Sequence, residues 1–234
     1  MRRHDAVGDH ELVDDFADAD AWSPAHNPEA IAVSEGQWIM WTLDLCAERV
    51  RTGSDPHRQI DARQFTFMLR QLLYAAELLD EAIRLEVRPE IHAAYSRARA
   101  AFEQGTPGLV TARDILMHFN EYAVGDGRLQ RKLRKETGID AAEAARLFWG
   151  GGYHPSTGEF VIGPHRIHIE RALQAAHTLN DAIYAAAKEV DFARLRKAEA
   201  RGGVPGHHRH RSPTGEEIDT SVAAVVNPPP IALT

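Results

Sequence analysis

A single cysteine, Cys46, occurs in the 234 residues. That excludes an intrachain disulfide and any zinc site built from several thiolates. A reducing, cytoplasmic setting is the expectation. No run of about 18 uncharged apolar residues is present, so no transmembrane helix and no membrane partner are expected. The start, Met1-Arg2-Arg3-His4-Asp5, turns acidic at once and lacks an apolar stretch, so it does not read as a signal peptide. No Glu-x-x-His pair occurs, which rejects a di-iron bundle. No internal repeat is visible, and no cofactor motif.

What is present is an uneven charge pattern. The net charge is -7, but Asp5, Asp9, Glu11, Asp14, Asp15, Asp18, Asp20 and Glu29 face only Arg2 and Arg3 within residues 1–30. The remainder is therefore close to neutral. Inside it, Arg128, Arg131, Lys132, Arg134 and Lys135 crowd into residues 128–135. Local potential attracts phosphate, so the total charge does not exclude an RNA partner. Equally, such a run describes a solvated helix face.

Residues 1–33 read as a disordered acidic arm, with Pro24 and Pro28 as breakers. Ser34 and Gln37 form a capping-box pattern opening a helix to Arg51, with Trp38, Trp41, Leu45 and Cys46 at helical spacing. Trp38 and Trp41 are expected in the core or in a dimer contact. Cys46 is expected to be inert. Asp55 and Pro56 read as N-cap and first helical residue of a second helix, residues 59–86. Its stripe runs Phe65, Met68, Leu69, Leu72, Leu73, Ala76, Leu79 and Ile83. Pro89 opens a third helix to Gln104, and Thr106-Pro107 a fourth over residues 108–122. Two short pieces follow, at 128–136 and 140–148. Residues 153–162 read as a small β-hairpin around Ser156-Thr157-Gly158, and a last helix as Pro164 to Ala200. Residues 201–234 read as a disordered His- and Pro-rich tail. The class is therefore mainly all-α: an antiparallel bundle of four to five long helices over residues 34–200, with a hairpin before the last.

The fourth helix carries Arg113-Asp114-Ile115-Leu116-Met117-His118. This resembles the R-x-x-x-x-H motif of the higher eukaryotes and prokaryotes nucleotide-binding (HEPN) family, with Asp114 in its polar second place. The resemblance covers about residues 59–190. It implies a helical bundle that cleaves RNA without a metal, through attack of a ribose 2′-hydroxyl on the adjacent phosphate. It implies His118 as proton carrier and Arg113 as the positive charge on the phosphorane, which suit imidazole and guanidinium chemistry. Asp114, four residues before His118, shares its helix face and is placed to orient the ring. Arg113 and His118 lie about 140° apart around a helix, so a homodimer is part of this expectation. The basic residues 128–135 would then track the RNA backbone. A toxin or defence role with an antitoxin partner is also implied. Such toxins carry a modifiable tyrosine two residues after the histidine; Asn120 stands there, and Tyr122 lies further on.

Other readings stand beside this one. A non-catalytic bundle serving interaction or assembly needs only a surface arginine and a helix-terminal histidine. Arg171 and His177 make a second pair, whose alanine neighbours suggest packing. His165, His168 and Glu170, with His154, would need good geometry to hold a metal, and no metal site is expected. The Trp149–Tyr153 junction would admit a small ligand or simply be a loop. His207–Arg211 reads as tail, with weak metal or polyanion binding as the alternative.

Overall fold

The computed structural model describes Ala25 and residues 27–200. The acidic residues of 1–24 and the tail 201–234 lie outside the described residues. The chain divides into two compact units, one ending at Asp191 and the other beginning at Phe192; of the second, residues 192–200 are described, as helix.

The helices are α1 (Pro28–Thr52), α2 (His57–Glu86), α3 (Pro89–Gly105), α4 (Leu109–Met117), α5 (Phe119–Ala123), α6 (Arg128–Thr137), α7 (Ala141–Phe148) and α8 (Ile169–Ala200). Strands β1 (Gly151–His154), β2 (Glu159–Ile162) and β3 (His165–His168) precede α8. The mainly helical class is as expected from the sequence. The lengths are not uniform: α1, α2 and α8 are long, while α4 to α7 are short. No described helix is long and apolar enough to cross a membrane.

Several boundaries differ from the sequence reading. The first helix begins at Pro28, which is its first residue rather than a breaker, and Ala32 is fully buried. The ordered chain therefore reaches into the expected arm of residues 1–33. Ser34 and Gln37 are interior helical positions, so they form no capping box. α2 starts after Pro56, and no side chain caps it. The Thr106 hydroxyl donates back to the Phe102 carbonyl at 2.8 Å. It thus closes α3 instead of opening α4, whose N-cap is Gly108 at φ +75°. The hairpin is a three-stranded antiparallel meander in the order β1-β2-β3. β3 occupies the residues assigned to the start of the last helix, so α8 begins at Ile169 rather than Pro164.

The core joins α1, α2 and α8 with part of α3, α4 and the sheet. Leu43, Ala47 and Val50 of α1 meet a family of buried α2 residues including Phe65, Leu69, Leu72 and Leu79. Each such large side chain contributes about 1.5–3 kcal/mol on leaving water. α8 supplies Ala172, Ala176, Leu179, Ile183 and Ala186. Its alanines allow close approach. So does Gly36, where an added Cβ would sit 2.6 Å from the Asn180 Oδ1. His177 Nε2 meets Asp44 Oδ1 at 2.9 Å, joining α8 to α1. The Tyr95 hydroxyl of α3 donates to the Ala76 carbonyl at 2.7 Å, tying α3 to α2.

In the sheet, Tyr153 pairs with Phe160 and Phe160 with Ile167. Phe160 and Ile167 turn into the core. The edge of β1 is occupied by a side chain. The Gln59 amide donates to the Tyr153 carbonyl at 3.0 Å and accepts from its N–H at 2.6 Å. A Cβ on Gly152 would lie 2.8 Å from Gln59 Oε1, so glycine is needed there for the approach.

Candidate functional site

The expected helix over residues 108–122 is broken at His118. The His118 N–H donates to the Asp114 carbonyl at 2.9 Å and ends α4. Its own carbonyl accepts from Glu121 and Tyr122 N–H groups at 3.0 and 3.1 Å and starts α5. The break resets the helical phase. Phe119 is exposed, while Tyr122 is buried. Arg63 donates to the Leu116 carbonyl at 3.4 Å, satisfying one of the orphan acceptors at the end of α4.

The imidazole therefore sits at a corner between two helices, with its side chain 48% exposed. Two carboxylates flank it: Asp114 Oδ1 at 3.8 Å from Nε2 and Glu121 Oε1 at 3.5 Å from Nδ1. The first distance is too long for a hydrogen bond. Asp114 is instead held by Tyr122, whose hydroxyl donates to Oδ2 at 3.0 Å. This corrects the expectation that Asp114 orients the ring by a hydrogen bond: the break that exposes His118 also delivers Tyr122 to Asp114. Burial first, then the hydrogen bond and charge of Asp114, push the Tyr122 phenol up to about 12.

Arg113 is half-buried and forms no ion pair among the described residues. α4 is regular through Met117, so Arg113 keeps its angular offset from His118. It shares a face with Val110 and Met117, which are both exposed. One chain thus brings Asp114 and His118 together and leaves Arg113 on another face.

The basic run is α6. Its Arg131 lies 4.0 Å from Glu121 Oε2, so Glu121 connects the His118 corner to the basic helix. Asp126 also approaches Arg131 and Arg134, at 3.4 and 3.9 Å, and Lys132 pairs with Glu136 at 3.8 Å. Arg128 and Lys135 are exposed and in no ion pair among the described residues.

The residue that the sequence reading missed is Gln130. It is completely buried in α6. Its oxygen accepts from the Gly127 N–H at 2.9 Å. Its amide donates to the carbonyls of Tyr122 and Ala144 at 2.9 and 3.0 Å. It thus joins α5, α6 and α7 under the His118 corner. The packing there is tight, since a Cβ on Gly127 would lie 2.7 Å from the Tyr122 ring. The order Arg128-Leu129-Gln130-Arg131 offers no hint of this, because glutamine ordinarily faces water.

The remaining candidates are resolved locally. Trp38 and Trp41 are exposed, which corrects their placement in the core. Cys46 is buried, and burial, then Asp61, raise its thiol to about 11; a thiol so held is a poor nucleophile. No group of three metal-binding side chains occurs among the described residues, and His165 and His168 are strand residues rather than a helix start. Arg171 is exposed, and His177 is engaged with Asp44. Trp149 is exposed beside an open depression of about 280 Å³ lined with Ala123, Ala145 and Arg146. The cluster His207–Arg211 lies outside the described residues. No protein-family model matches this chain, and neither the curated proteins nor the solved structures yield a match.

Proposed function

We propose that the chain binds RNA and cleaves it without a metal, in the manner that its resemblance to HEPN ribonucleases implies. The supporting observation is the exposed His118 imidazole at the α4–α5 corner, one carboxylate away from Arg131 of the basic helix. An exposed imidazole takes a proton from a ribose 2′-hydroxyl while its oxygen bonds to phosphorus. The bond to the 5′-oxygen breaks, that oxygen gains a proton, and a cyclic phosphate remains. Arg113 stabilises the charged phosphorane. Because Arg113 and His118 diverge on one helix, the reading takes the two groups at one phosphate from two chains. A toxin or defence role, an antitoxin partner and a cytoplasmic setting belong to the same proposal.

A second reading has its own observation. Asp114 is held by Tyr122, and Asp126 and Glu121 offset part of the α6 charge. A non-catalytic interaction module needs no more than this.

One experiment separates the two. Full-length protein is incubated with single-stranded RNA in chelator, and the products are tested for cyclic phosphate ends. Cleavage is expected, with His118→Ala reducing it about 10²–10⁴-fold at unchanged helical circular dichroism. Arg113→Ala should impair the rate more than the binding. If wild type leaves RNA intact, or His118→Ala cuts as well as wild type, the module reading prevails.

A further inference from the structure

On α1, Trp38 is 63% exposed, Trp41 42% and Leu45 50%. The two indoles pack edge to face with centroids 4.9 Å apart. Ile31 and Ser34 continue the same line toward the start of the helix, at alternating spacings of three and four residues. That is the spacing of a helix–helix seam. The opposite flank of α1 is occupied, where Asp44 and Arg51 reach α8 through His177 and Glu170. The stripe is therefore the outward ridge of α1. Tryptophan pairs so placed are typical anchors of protein interfaces.

We propose that this ridge associates with the same ridge of a second copy of this chain, antiparallel, about a two-fold axis passing near Thr42. The charges select this partner and direction. Glu35, Thr42 and Arg49 lie at seven-residue spacing on one edge of the stripe. Glu35 is exposed and in no ion pair among the described residues; Arg49 approaches Asp61 of α2 at 3.8 Å, yet its side chain stays 59% exposed and has donors left for a second carboxylate. Antiparallel pairing about Thr42 sets each Glu35 opposite an Arg49, twice by symmetry. Parallel pairing would put the two copies of this edge on opposite sides of the seam, and neither pair could form. The same register brings Trp38 level with Leu45 across the axis and packs Trp41 against Trp41. A crossing near 20° keeps all of them in contact. A two-fold, self-complementary patch is what a closed dimer requires. The RNA reading also needs two chains, and this inference says where they meet: a dimer that leaves RNA intact sinks that reading alone, and RNA cleavage by a protein whose mass ignores Trp41→Glu and Leu45→Glu sinks this inference alone.

The test uses the full chain. Sedimentation should give twice the mass of one chain. Trp41→Glu and Leu45→Glu should each return a single chain, with helical circular dichroism unchanged because both side chains face solvent. Thr42→Cys should form a covalent dimer with a short bis-maleimide. Ser34→Cys should not, because its two copies would stand about 24 Å apart along the helices. The buried Cys46 should stay unmodified and serves as the internal control. A monomeric wild type at every soluble concentration overturns the proposal. So does a dimer indifferent to both glutamates, or one linked through Ser34→Cys and not Thr42→Cys.

Discussion

Leu72 in α2 and Gln130 in α6 are equally sealed from water, yet they hold their surroundings by different physics. Leu72 belongs to a broad apolar seam among the long helices, where neighbours share the work and contacts are not directional. Gln130 stands almost alone, fastening three short helices with three hydrogen bonds. Tyr122 and Ala144, whose carbonyls it holds, are buried outside the main core cluster, and the rings of Tyr122 and Phe148 stand 5.7 Å apart. Helices this short do not persist by propensity alone. The candidate site thus rests on the part of the molecule whose order depends on geometry rather than on area.

The sharpest way to test this contrast is truncation. Leu72→Ala should cost about 2–5 kcal/mol in denaturant titration, and should lower hydrogen-exchange protection across α1, α2 and α8 together. A loss confined to α2 would break the picture of one shared core. Gln130→Ala strands the Gly127 N–H and the Tyr122 and Ala144 carbonyls, at about 1–3 kcal/mol for a buried orphan. Here exchange should accelerate in residues 119–148 and leave the α2 core protected. Uniform acceleration would mean that the two regions unfold as one.

Tyr122→Phe removes one hydrogen bond to Asp114 and should cost about 0.5–1.5 kcal/mol. Its pH dependence sharpens the assignment. The folded phenol titrates above its ordinary value of 10.0, at about 12. The neutral form therefore stabilises the fold fully below pH 10, and that contribution is lost as pH rises through about 12. Wild type and Tyr122→Phe should converge in stability over that interval. A constant gap would show that the hydroxyl is not held as described.

The long helices were legible because their apolar residues repeat at 3.6 and are numerous. Phe65, Leu69, Leu72, Ala76, Leu79 and Ile83 were named from spacing and are all buried. The ends were less legible. Pro28 reads as a breaker or as a first helical residue with equal right, and the burial of Ala32 decided between them. At Thr106 the hydroxyl had two backbone turns to choose from. The Arg113-Asp114-His118 motif was visible, but the break that displays it was not. Nothing local in Met117-His118-Phe119 signals a helix end; the bend places Tyr122 under Asp114 and against Gly127, a contact between segments.

From the amino-acid order alone follow the helical class, the long-helix stripes and the position of the histidine motif, because each depends on near neighbours in the chain. The tertiary structure alone decided which faces remain uncovered, as with Trp38 and Trp41, and which polar side chains are sealed inside, as with Gln130. Periodicity shows that a face is apolar, whereas its covering depends on residues far along the chain.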